Sequence, residues 1–221
     1  GALKVFGKVA SVTSPVAVQR SIRFVGTGEP VVAWVTDGEE MVAVTLAAEN
    51  EGAVDFAVEY STLRELVRTA KGMVELQGEK IDWPEIAVVP AEAITVALPE
   101  DFVQWLANAA QIVDREDTRR VLQGIHLSPE GITAANGKQL LHIPVAWTLD
   151  RSITLPFPLA LLTARVEGAG TLTIWSDRFQ IELGGLLWRG QVVPGLFPNW
   201  KQVMPQPNAL DYAITLRDTG K

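Results

Sequence analysis

The sequence predicts an α+β protein built from two copies of one unit, each with two helices packed on antiparallel sheet. Three observations predict it. Short β-rich runs are separated by Gly, Pro, Asn and Asp turns. Apolar residues recur at helical spacing in several places. The same order of elements then appears in both halves of the 221 residues.

The first copy opens with Leu3, Val5, Phe6, Val9 and Val12, spaced for one face of a short helix and closed by Ser14-Pro15. Ser21 to Val25, Val31 to Val35 and Met41 to Leu46 read as a strand meander with Thr36-Asp37-Gly38 as a turn, and Val54 to Val58 as a further strand. Ser61 suits the N-cap of a helix carrying Leu63, Leu66, Val67 and Ala70 and stopped at Gly72, after which Met73 to Leu76 resumes the sheet.

The second copy begins with a strand, Ile94 to Leu98, and a helix from Pro99 through Val113 that buries Phe102, Leu106, Ala109 and Val113. Val121 to Leu127 and Gly131 to Ala135 are strands, Asn136-Gly137 is a hairpin turn, and Leu140 to Trp147 leaves it. Ile153 to Leu155 leads into a helix over Pro158 to Val166, closed near Gly168. Thr171 to Ile174, Phe179 to Leu183 and Leu187 to Val192 complete the sheet.

Two local matches support the repeat. Asp37-Gly38 and Asn136-Gly137 hold the same place between β-rich runs. Trp83-Pro84-Glu85-Ile86 to Pro90 parallels Phe197-Pro198-Asn199-Trp200 to Pro205, and each precedes a strand-like run, Ile94 to Leu98 or Tyr212 to Leu216. The expected division is 1–92 for the first unit, 93–208 for the second, and 209–221 for the opening strand of a further unit or a tail. On this reading the first unit lacks its first strand and has a shortened end, as in a piece of a longer protein.

Composition sets limits. Hydrophobic content of 48% with 20% charged residues is that of a globular protein. No apolar run approaches the roughly 18 residues of a membrane span. The chain has no cysteine, which removes disulfides, thiolate metal sites and cysteine nucleophiles, and a cytoplasmic location fits best. A formal net charge of -7 opposes a uniform coat of nucleic acid but allows a local basic face. The acidity is concentrated in the first unit, with the second nearly balanced.

The run Phe102 to Leu127, centred on Asp117-Thr118-Arg119-Arg120-Val121-Leu122-Gln123-Gly124, resembles the middle domain of the bacterial replicative polymerase beta subunit, the sliding clamp. Ala134-Ala135-Asn136-Gly137-Lys138-Gln139-Leu140 and Leu196-Phe197-Pro198-Asn199-Trp200, with Val203 and Pro205, fall where that family has similar segments. The resemblance is good over residues 94–216 and weaker over 2–92. It implies a DNA-clamp fold in which helices line a ring and strands join edge to edge. It also implies a processivity factor that encircles double-stranded DNA without reading its sequence and tethers polymerase subunits and other partners through short peptides. Such proteins catalyse nothing, need no cofactor or metal, and form homo-oligomeric rings. Family members carry three domains per chain, whereas this chain has two.

Candidate DNA-facing residues follow from that role, because backbone phosphates are held by basic groups without base readout. Lys4 and Lys8 pair on the first helix, and Arg64, Arg68 and Lys71 stand at i, i+4 and i+7 on the second. The second unit offers Arg119, Arg120 and Arg165, partly offset by Asp114, Glu116 and Asp117, while Gln104, Asn108 and Gln111 make its first helix neutral. The same stripes also suit solvated helix faces. Matched positions for a peptide groove are Leu122, Ala135, Gly137, Lys138, Leu140, Pro198 and Val203. Leu122, Leu140 and Val203 can accept aliphatic or aromatic anchors, and Gly137 permits close backbone approach. Asn136-Gly137-Lys138-Gln139 departs from the family's Asp-Gly-His-Arg.

Other functions have weaker support. His126 and His142 lie inside expected strands, as packed or surface residues do. Neither Gly26-Thr27-Gly28 nor Gly184-Gly185 leads into a helix, as a phosphate loop requires. The alternatives are a clamp-like interaction scaffold that does not encircle DNA, and a carbohydrate-binding β module. The second draws on the 7 tryptophans, with Trp34, Trp147, Trp175 and Trp188 expected in strands.

Overall fold

The computed structural model describes residues 1–48 and 52–204. The expected strand at Tyr212 to Leu216, residues 209–221 and Pro205 lie outside the described residues.

In chain order the first unit contains α1 (Ala2–Val9), a short α2 (Ala17–Arg20), β1 (Ser21–Gly26), β2 (Val31–Thr36), β3 (Glu40–Leu46), β4 (Val54–Glu59) and α3 (Tyr60–Thr69). The second contains β5 (Ile94–Leu98), α4 (Phe102–Ala110), β6 (Ile125–Ser128), β7 (Gly131–Ala135), β8 (Leu140–Pro144), β9 (Ile153–Leu155), α5 (Leu159–Ala164), β10 (Gly170–Trp175), β11 (Arg178–Leu183) and β12 (Leu186–Gln191). A four-stranded sheet runs β8-β7-β6-β9, and the first unit's strands take the matching order β3-β2-β1-β4. That match is the repeat in three dimensions.

The sheets are antiparallel and alternate in burial as half-covered strands must. In β2, Val31, Ala33 and Val35 face the core, and in β6 Ile125 and Leu127 do. Helix α1 buries Val5, Phe6 and Val9 over β2 and β3, while α4 buries Phe102, Leu106 and Ala109 over the corresponding β6, β7 and β8. One continuous core serves both units.

The units meet at a joint of strand and helix. β3 pairs with β12 from Leu186↔Val44 to Gly190↔Glu40, so β1–β4 and β5, β10–β12 merge into one eight-stranded sheet. Beneath it α1 packs on α5, and the helices form a connected layer in the order α3, α1, α5, α4. The fully buried Trp188 secures the seam: its Nε1 donates to Glu40 Oε2 at 2.6 Å and its ring meets Phe179 edge-on at 4.7 Å.

Several local expectations change. Met73 to Leu76 forms no strand; between α3 and β5, among the described residues, the chain makes a single antiparallel bridge, Ala57↔Glu79. Helix α3 starts at Tyr60 with Glu59 as N-cap, which leaves Ser61 inside the first turn, and it ends before Lys71. Val12 lies outside α1 and is exposed. Helix α4 ends at Ala110, short of Val113. Val121 and Leu122 lie in a 3₁₀ turn, Arg120–Gln123, because Leu122 N–H bonds back to the Arg119 carbonyl at 2.9 Å instead of joining β6. Trp147 falls beyond β8, held by its Nε1 bond to the Ser128 carbonyl at 2.8 Å.

Candidate peptide pocket and helical face

The pocket begins from a turn. Asn136 Oδ1 accepts the N–H groups of Lys138 and Gln139 at 3.1 and 2.9 Å, and Gly137 takes φ 81°, a conformation costly for residues with a Cβ. Asp37 makes the same turn in the first unit, its Oδ1 accepting from Glu39 and Glu40 at 2.9 and 2.8 Å with Gly38 at φ 100°.

Across the sheet, Thr154, His126, Thr133 and His142 stand in register in one row over four strands. His126 Nδ1 lies 3.2 Å from Thr154 Oγ1, and His142 Nδ1 lies 3.0 Å from Thr133 Oγ1. The segment Phe197 to Trp200 lies on this row, with His126 stacked on Phe197 at 4.5 Å between centroids and His142 on Trp200 at 4.0 Å. Burial pushes the His126 imidazole down to about 4, which keeps that ring neutral at physiological pH, and burial lowers His142 as well. The histidines are fasteners of the Pro-punctuated segment. A second anchor follows: Lys201, in the 3₁₀ turn Trp200–Gln202, reaches Glu130 Oε1 at 2.5 Å. That bond, and then Ser128, hold the Glu130 carboxyl down to about 2.

Between the fastened segment and the hairpin lies a cavity of about 460 Å³. Ala135, Gly137, Lys138, Leu140, Pro198 and Val203 all line it. Leu122, the remaining groove candidate, is buried with Val121 and Phe197 in an apolar cluster against which Ala135 and Trp200 pack. Trp200, Met204 and Arg119 also line the cavity. In the sequence Trp200 and Met204 stand out only as parts of the matching ending Phe197 to Pro205, not as groove residues. The position of Trp200 beside Pro198 in that Pro-punctuated segment was the available signal.

The basic candidates separate. Lys4 and Lys8 on α1, and Arg64 and Arg68 on α3, are exposed on helices that pack together. Arg68 is held by Glu65 at 2.7 Å, and Lys71 follows the helix instead of continuing its stripe. Arg165 is exposed at the left-handed end of α5. Arg119 and Arg120 are neighbours in sequence that face different cavities. Arg119 grips Asp117 through Nε and Nη2, each at 3.2 Å, at the rim of the pocket. Arg120 lines a cavity of about 420 Å³ at the joint, opposite Asp37, Glu39 and Glu40. On α4, Gln104 donates to Asn108 at 3.1 Å, leaving that part of the layer neutral.

No protein-family model and no curated protein matches the sequence. Solved structures do match. A sliding clamp (DNA polymerase III subunit beta) of Bartonella birtlesii bound to griselimycin superposes with TM-score 0.78 at 19% identity, covering 92% of this chain and 65% of that one. The Helicobacter pylori beta clamp bound to a DNA ligase peptide gives 0.77 at 13% identity, covering 94% and 68%. The Pseudomonas aeruginosa sliding clamp gives 0.76 at 16% identity, covering 94% and 65%. The fold is that of the sliding clamps. The chain spans about two thirds of the length of these structures.

The helical layer and the sheet layer differ in chemistry. Basic side chains gather on α1 and α3, while the apolar cavity opens beside β7 and β8. Of the seven tryptophans, Trp83, Trp175 and Trp188 are buried and Trp34, Trp105, Trp147 and Trp200 half-buried. Among the described residues, no group of three or more His, Cys, Asp or Glu is placed to hold a metal ion. No helix among them is long and apolar enough to cross a membrane.

Proposed function

We propose that this protein is a non-catalytic, clamp-type scaffold that rests its helical layer on duplex DNA and tethers partner proteins, polymerase subunits among them, by short peptides seated in the pocket of the second unit. The single observation that carries this reading is the convergence of six groove candidates on one cavity whose wall is fastened by two imidazole stacks. Leu140, Trp200, Val203 and Met204 supply apolar contact for aliphatic or aromatic anchors, and Lys138 adds a cation at the rim. The griselimycin and ligase-peptide complexes of the matching structures agree with a ligand-binding role for clamps. Residues 1–92 and 93–208 act as the two units of the scaffold.

DNA contact rests on Lys4, Lys8, Arg64 and Arg68, with Lys71 and Arg165 at the edges of the same layer. It is weak, independent of sequence, and steeply dependent on salt, because it works by displacing counterions from phosphates. Arg119 and Arg120 serve the pocket and the joint.

A fluorescent peptide ending in adjacent Leu and Phe anchors tests the pocket. Saturable binding that Val203→Asp abolishes is expected; binding unaffected by that change removes the assignment. A labelled duplex tests the helical layer, and absence of binding at low salt removes the DNA role.

A further inference from the structure

The cavity of about 420 Å³ at the joint has one wall from each unit. On the first unit's wall, the hairpin tip presents the carboxyls of Asp37, Glu39 and Glu40. The second unit contributes Arg115, Arg120 and Gln123. Phe157, Val192 and Val193 add apolar lining.

Both walls are held in place. Gln19 Nε2 donates to the Asp37 carbonyl at 2.5 Å and Thr36 Oγ1 to the Glu40 carbonyl at 2.7 Å, which fixes the tip. In the second unit the Arg115 guanidinium lies over the Phe157 ring at 4.9 Å, and Gln123 Nε2 donates to the Asp117 carbonyl at 2.7 Å. No ion pair among the described residues joins the two walls. Coulomb attraction falls with distance and with the solvent between charges, so groups held apart on fixed walls keep most of their capacity to bind ions of their own. Burial, against the Trp188 bond and with the charges of Asp37 and Glu39, raises Glu40 to about 7, as on a wall short of cations. These carboxyls do not make a metal site, because among the described residues no group of three or more His, Cys, Asp or Glu is placed to hold a metal ion. An ammonium, with three donors and no fixed coordination shell, suits them better.

We propose that the joint cavity is a site for a small zwitterion with an apolar tail, the chemistry of an apolar α-amino acid. Its ammonium rests on the carboxyl wall and its carboxylate on Arg115 and Arg120, whose planar forks match a carboxylate. Its side chain lies against Phe157, Val192 and Val193. Such a ligand touches both units at once and bridges the joint. The site is separate from the peptide pocket: Arg120 and Gln123 of the 3₁₀ turn line the joint cavity, whereas Arg119, just before that turn, lines the pocket. It does not depend on the clamp reading.

L-Phenylalanine tests the site on the whole protein, beside its amide, which lacks the carboxylate, and its N-acetyl form, which lacks the ammonium. Saturable binding of phenylalanine in roughly the millimolar range by calorimetry is expected, at least about tenfold weaker for each blocked form. Arg120→Ala and Glu39→Gln, both at exposed side chains, should each weaken it at least about threefold with the unfolding midpoint unchanged. Val203→Asp, in the peptide pocket, should leave it as it is. Absence of saturable binding up to roughly 50 mM overturns the proposal. So do equal binding of the blocked forms, indifference to Arg120→Ala and Glu39→Gln, and loss of binding with Val203→Asp.

Discussion

The hairpins at Asp37-Gly38 and Asn136-Gly137 make one turn twice, with the same acceptor geometry and the same left-handed glycine. Their surroundings differ. The first tip is pressed into the joint, where Glu39 and Glu40 share a cavity with Arg115 and Arg120. The second tip stands free and forms one lip of the apolar pocket. The rows behind them differ as well. Behind the second lie the two histidines and their threonines; at the matching register behind the first lie Arg23, bonded to Asp55 at 2.7 Å, and Trp34. A turn is thus decided by a few backbone contacts, and its use by what packs beside it.

The sharpest break in this comparison is at the joint. Trp188→Ala removes a buried ring and its bond to Glu40, and should cost about 3–5 kcal/mol of stability in denaturant unfolding. A comparable loss from Trp200→Ala would erase the distinction between joint and pocket. Next comes pH. Burial first, opposed by the Trp188 bond and aided by Asp37 and Glu39, raises the Glu40 carboxyl from 4.5 to about 7. A raised folded-state value means that its stabilising contribution is full below about pH 4.5 and is lost as pH rises to about 7. The loss should be on the order of 2–3 kcal/mol by chemical unfolding across that window, and Glu40→Gln should flatten it.

The pocket gives smaller changes. Val203→Asp should weaken the Leu-Phe peptide at least about tenfold in fluorescence anisotropy with little change in unfolding midpoint. His142→Ala removes one ring stack and should cost about 1 kcal/mol of stability, with peptide binding weakened through Trp200. The smallest effect separates the helical faces. Arg64→Ala should lower the slope of log affinity against log salt by about 1, whereas Gln104→Ala on α4 should leave it unchanged. Equal effects of the two would show that the layer has no basic end.

Much of this was legible in the chain. The strands of both meanders could be read because β-branched alternation and Asx-Gly turns act over a few residues. Six groove positions could be named from the resemblance. The failures share a cause. Met73 to Leu76 has strand-like composition but pairs with no strand among the described residues. Val121 and Leu122 look like the start of a strand, yet a local bond to Arg119 winds them into a turn. Arg119 and Arg120 look alike in sequence and part company only because the residue before that turn and the first residue within it line different cavities.

Taken alone, the sequence determined the two-unit order, the α+β class and the paired turns, because spacing and backbone chemistry are local. Tertiary structure decided where the units join and which hairpin becomes a pocket. Those outcomes depend on pairings between residues far apart in the chain, such as Gly190 with Glu40.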